Sequence, residues 1–104
     1  MLETSIEQQL SIQSLQLQKA ALVYRAINHP LRMQMLALLH KHSEMKVTDL
    51  YTRLRLEQSV ASQHLAILRR AGFAITRRDG KNVYYSVDYD RLQQVHRIAE
   101  KLNR

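Results

Sequence analysis

From about residue 4 to residue 27 the chain runs without glycine or proline, and Gln, Leu, Ile and Ala dominate, which predicts one long helix. Ile6, Leu10, Leu17, Ala20, Tyr24 and Ile27 form an apolar stripe at helical period, interrupted by Gln13, while Ile12, Leu15, Leu22 and Ala26 form a second. A helix apolar on two sides needs two surfaces to cover it, and in so short a chain a second copy is the expected source of one. Asn28-His29-Pro30 ends this pattern, because the residue before a proline avoids helical angles and proline suits the first turn of a new helix. A second helix is predicted over about 30–40, with Leu31, Met35, Leu36, Leu38 and Leu39 as core positions, closed by the polar stretch 40–46. A short helix over 47–54 follows, with Thr48 as its cap and Val47, Leu50, Tyr51 and Leu54 inward.

After the turn Arg55-Leu56-Glu57, residues 57–72 separate into two faces at helical period. Val60, Ala61, His64, Leu65, Ile67 and Leu68 make a mostly apolar stripe; Ser59, Ser62, Gln63, Ala66 and Arg70 fall on the other side. Small residues allow close approach, Gln and Ser hydrogen-bond base edges, and Arg holds phosphate, so this reads as a recognition helix. His64 borders the apolar stripe and is assigned a hydrogen-bonded packing role. Two helices joined by so short a turn form a helix-turn-helix. Gly72 stands where a left-handed C-terminal cap is wanted, and Asp79-Gly80 marks a hairpin between strands over 73–78 and 81–87. A final helix over 88–102 brings Leu92, Val95, Ile98, Ala99 and Leu102 to one face. The expected fold is mainly α with a small β-hairpin, a single winged helix-turn-helix domain in the order α-α-α-α-β-β-α, dimeric through its first and last helices.

Composition narrows the function. The chain has no cysteine, which excludes disulfides, thiolate metal sites and thiol redox sensing. No apolar run approaches the roughly 18 residues of a membrane span, and no basic region precedes an apolar block at the N-terminus, so a cytoplasmic, non-membrane protein is expected. The net charge of +7 is concentrated in one third of the chain: residues 51–81 carry seven Lys/Arg against Glu57 and Asp79. That placement favours a polyanionic partner, double-stranded DNA above all. A protein-interaction module on the same scaffold would have no need of this charge. An enzyme is disfavoured, since there is no glycine-rich phosphate loop and no histidine paired with a plausible nucleophile.

Four stretches in order carry a family resemblance. His29-Pro30-Leu31-Arg32-Met33-Gln34-Met35-Leu36 is similar to Asp-Pro-x-Arg-x-x-Ile-Leu, and Gln58-Ser59-Val60-Ala61-Ser62-Gln63-His64-Leu65 to Gln-Ser-x-x-Ser-x-His-Leu. Leu68-Arg69-Arg70-Ala71-Gly72-Phe73 and Gly80-Lys81-Asn82-Val83-Tyr84-Tyr85-Ser86-Val87 match the end of the recognition helix and the wing. Over about residues 26–87 the chain thus resembles the ArsR/SmtB-type repressors. The resemblance implies a homodimer that binds a palindromic operator, represses transcription and is released by a signal, most often a metal ion. It implies DNA contacts at Gln58, Ser59, Ser62 and Gln63 and at the wing tip, Arg78 and Lys81. Arg69, Arg70, Arg77, Arg78 and Lys81 are the expected phosphate contacts.

Two departures concern the helix-turn-helix. Arg55 stands where relatives often have glycine, at a cost on the order of 1 kcal/mol if the backbone there is left-handed. Glu57 replaces a small hydroxyl residue at the helix start and is a weaker cap. The family's metal ligands are also missing. Its thiolate pair corresponds to Lys46-Val47-Thr48, and its last-helix site falls on Tyr89, Arg91 and Leu102. His40/His42, His96/Glu100 and the pair Asp88 and Asp90 remain as potential ligands, but they read as a solvated loop and exposed helical groups. No metal site, no cofactor and no particular effector are assigned.

Overall fold

The computed structural model describes the backbone of residues 2–104 and the side chains of 5–11 and 13–104; Ile12, one member of the second stripe, lies outside the described side chains. The elements are α1 (Leu2–Ile27), α2 (Pro30–His42), β1 (Met45–Lys46), α3 (Val47–Arg53), α4 (Gln58–Arg70), β2 (Ala74–Asp79), β3 (Asn82–Val87) and α5 (Tyr89–Leu102). The helices expected from periodicity are all present, and Pro30 opens α2 in its first turn as its fixed φ favours.

The sheet holds one strand more than the expected hairpin. β1 pairs antiparallel with β3, Met45 opposite Tyr85 and Lys46 opposite Tyr84, so that β3 is central in the order β1-β3-β2. The last two residues of the polar stretch, Met45 and Lys46, therefore belong to the wing, while its first three complete α2. α3 follows β1 directly, with Lys46 as its N-cap and no side-chain capping bond; Thr48 lies inside the helix and is not its cap. The hairpin itself closes through Asp79 opposite Asn82, with Gly80 at φ +62, and Gly72 adopts φ +90 after α4. Both glycines take the left-handed angles that their positions required.

The core lies between α2, α3, α4 and the sheet. Met35, Leu39, Leu50, Leu65, Leu68 and Phe73 are its largest fully buried side chains. Among the described residues only the C-terminal part of α1 joins it: Ala26 is buried, Val23, Tyr24 and Ile27 pack against it, and Tyr24 donates from its hydroxyl to the Val95 carbonyl at 3.3 Å. Further towards the N-terminus Ile6, Leu10, Leu15, Leu17 and Leu22 are exposed, as are Ile98 and Leu102 of α5.

The turn before α4 is strained at Arg55, whose φ is +56. A side chain there costs energy that glycine would not. Arg55→Gly is therefore expected to stabilise the fold by up to about 1 kcal/mol, since glycine's greater freedom in the unfolded chain offsets part of the gain. In a domain of this size that is a rise of a few degrees in melting temperature. A lower melting temperature would show that Arg55 makes interactions worth more than the strain.

Candidate nucleic-acid interface

The recognition helix α4 is held by Ala61, Leu65 and Leu68, all fully buried and spaced to face the core. Glu57 is its N-cap but contributes no side-chain bond, leaving the helix start to backbone and charge alone. This anchoring turns Ser59, Ser62, Gln63, Arg69 and Arg70 outward, and Gln58 with them.

The outward residues fall into two groups. Gln58, Ser62 and Arg69 lie along the flank that faces the wing and line a cleft of about 530 Å³. Its other walls are Thr76, Arg78, Lys81 and Asn82 from the hairpin and Lys46, Val47 and Thr48 from the β1–α3 junction. Four cations, Lys46, Arg69, Arg78 and Lys81, thus surround hydroxyl and amide groups, and among the described residues no carboxylate lines the cleft. Such a lining attracts a polyanion and offers it hydrogen-bonding partners. Ser59, Gln63 and Arg70 occupy the exposed crest of α4 beside the cleft, Arg70 donating from Nε to the Ala66 carbonyl at 3.3 Å.

Arg77 stands apart from the other eight candidate residues. Neighbouring side chains alternate across a strand, so Arg77 shares a face with its partner Tyr84, and Arg78 shares the opposite face with Val83. Arg77 donates from Nη2 and Nε to the two carboxylate oxygens of Glu44 at 2.7 and 3.1 Å, and its guanidinium lies 4.4 Å from the Tyr84 ring centroid. The hydrogen bonds hold the Glu44 carboxyl below its ordinary range and raise the Arg77 guanidinium further. Both side chains are more than one third exposed, so the pair adds little to global stability. What it does is tie the second strand of the wing to the loop before β1.

Lys46 and Thr48 are not among the expected DNA contacts: both mark the absent thiolates, and Thr48 is assigned as a helix cap. The signal that identifies them is the pairing of β1 with β3, which carries this junction to the cleft.

The potential metal ligands are engaged elsewhere or dispersed. His40 Nδ1 is 2.7 Å from the Tyr89 hydroxyl, and His42 Nε2 is 2.9 Å from Arg53 Nη1. Asp88 is the N-cap of α5, its Oδ1 accepting from the Arg91 backbone N–H at 3.1 Å. His96 and Glu100 are exposed on α5. Among the described residues no three His, Cys, Asp or Glu side chains gather, and no helix is long and apolar enough to cross a membrane.

Comparison with known proteins agrees with this geometry. Residues 29–76 match the family described as bacterial regulatory protein, arsR family. An HTH-type transcriptional regulator of Methanocaldococcus jannaschii is 35% identical over 82% of this chain and 96% of its own length. The transcriptional repressor PagR of Bacillus anthracis is 31% identical over 88% of this chain and 91% of its own. Among solved structures, the homodimeric winged helix-turn-helix DNA-binding domain of a possible ArsR-family regulator from Mycobacterium bovis superposes with a TM-score of 0.70. It is 25% identical and covers 86% of this chain and 83% of that one. The helix-turn-helix and the wing are therefore those of a DNA-binding transcriptional regulator, and the chain belongs to the ArsR family.

Proposed function

We propose that the protein is a cytoplasmic, non-catalytic repressor that binds a palindromic operator as a homodimer. The carboxylate-free cleft between α4 and the wing carries this reading, because it joins hydrogen-bonding groups to four cations on one surface. Gln58, Ser59, Ser62 and Gln63 would contact base edges, and Arg69, Arg70, Arg78 and Lys81, joined by Lys46, would hold phosphates. The exposed apolar residues of α1 and α5 support dimerisation through these helices, and the Mycobacterium bovis domain is itself homodimeric. A protein-docking role is disfavoured by the same cleft, whose charge a docking module would not need.

Selection from randomised duplexes tests the proposal. A palindrome with half-sites about one helical turn apart, roughly 34–36 Å, is the expected product. Flat, sequence-independent binding would overturn it.

The two wing arginines should behave differently. Arg78→Ala is expected to flatten the dependence of log affinity on log salt by about 1.8, the loss of one phosphate contact in each protomer of the dimer. Arg77→Ala should leave that slope nearly unchanged, because its guanidinium already belongs to Glu44 and Tyr84. Equal changes of slope would show that Arg77 leaves Glu44 to bind phosphate.

A further inference from the structure

Arg32 makes more directed contacts than any role so far requires. It sits in the first turn of α2 and donates from Nε to the Ala26 carbonyl and from Nη2 to the Arg25 carbonyl at 2.9 Å. These are two of the last carbonyls of α1, which have no partner within their own helix. Its remaining fork nitrogen, Nη1, reaches His64 Nδ1 of the recognition helix at 3.1 Å. A guanidinium can only donate, so Nδ1 is the unprotonated nitrogen and Nε2 carries the hydrogen. One side chain thus connects the end of α1, the start of α2 and the inner edge of α4.

We propose that Arg32 is a positioning residue for DNA recognition: through the unprotonated Nδ1 of His64 it clamps the reading helix to the end of α1, and protonation of His64 opens the clamp. This rests on the operator-binding reading above. Under that reading α1 sets the spacing of the two protomers, and the clamp passes that spacing on to α4.

The surroundings of His64 make the clamp responsive to protons. The ring of His29, in the turn between α1 and α2, lies 4.9 Å from the His64 ring, centroid to centroid. His29 Nδ1 is also committed as an acceptor, from the Leu31 N–H at 3.1 Å. His29 and Arg32 are the groups whose charges bear on His64. A proton on His64 would lose the acceptor and place a cation against Arg32. Burial first, then the charges of His29 and Arg32, hold the His64 imidazole below the ordinary histidine value of 6.5. The sign follows from linkage. With a depressed folded value the unfolded chain takes up the proton first, so stability is full above pH 6.5 and declines as the pH falls below it.

The test compares the full chain with two variants on the selected duplex and on a scrambled one, at pH 7.5 and 5.5. The readout is the ratio of specific to non-specific affinity, which cancels any general change of DNA affinity with pH. Asparagine places an acceptor oxygen where Nδ1 stands and does not titrate; leucine fills the volume without an acceptor. The wild-type ratio should fall between pH 7.5 and 5.5 towards the ratio of His64→Leu, which a modest coupling places about five- to tenfold lower. His64→Asn should hold the wild-type pH 7.5 ratio at both values. His64→Leu should give the low ratio at both, while still melting cooperatively.

The clamp is refuted if the wild-type ratio does not change with pH, if His64→Asn keeps the wild-type slope, or if His64→Leu matches the wild type at pH 7.5. Should His64→Leu fail to fold, the asparagine comparison decides alone. Absence of specific binding by the wild type at either pH would instead refute the operator reading, which separates the two failures.

Discussion

Ser62→Glu is expected to weaken binding to the selected operator by more than about a hundredfold, with a melting temperature within about two degrees of wild type. Ser62 is exposed on α4 in the middle of the cleft, between Gln58 and Arg69 on one wall and Arg78 on the other. A carboxylate there would meet phosphate and base-edge acceptors at close range, and misplaced like charges at an interface cost several kcal/mol. About 2.7 kcal/mol already corresponds to two orders of magnitude in affinity. The fold should be spared because the side chain packs against nothing in the core. Electrophoretic mobility shift and thermal melting on the same sample provide the check. Retained binding with Ser62→Glu would place the DNA away from this face of α4 and remove the main support for the proposed interface.

Phe73→Ala should have the largest effect on the fold. Phe73 is fully buried at the point where α4, β2 and α5 meet. Its N–H donates to the Leu68 carbonyl at 2.9 Å and its carbonyl accepts from the Asp88 N–H at 3.0 Å. The Arg91 guanidinium stands 6.0 Å from the ring centroid, and Arg91 Nε donates to the Ala71 carbonyl at 3.0 Å. Truncating a buried phenylalanine costs about 3–5 kcal/mol, a large part of the roughly 5–15 kcal/mol available to a domain. The melting temperature should drop by roughly 15 °C or more. A loss below about 1.5 kcal/mol would mean that the neighbours close the cavity, an outcome at odds with a site pinned from three elements.

Much of this architecture is visible in the chain because its strongest local signals agree with one another. Pro30, Gly72 and Gly80 each stand where their backbone preferences are needed, and the buried triad of α4 repeats at helical period. What the chain conceals depends on contacts between distant residues. Met45–Lys46 is too short to show any periodicity, and it becomes a strand only because Tyr84 and Tyr85 arrive beside it. Arg77 and Arg78 are equivalent in a tally of charge, yet strand alternation sends them to opposite faces, and Glu44, 33 residues away in sequence, takes one of them. The packing role of His64 follows from its position at the edge of the apolar stripe. Its partner does not, because only the fold brings Arg32 within reach of both α1 and α4. The apolar residues of α1 are legible as a surplus, and in the single chain they remain one.

The strand order has a consequence for solubility. With β3 in the centre, β2 is left as an outer edge whose backbone N–H and C=O groups could template a strand from another molecule. Ile75 on that edge is half exposed and would favour such an addition. Arg77 and Arg78 follow it within the same strand, and charged side chains along an edge oppose further pairing. Whatever their part in holding DNA, these two arginines guard the wing against aggregation.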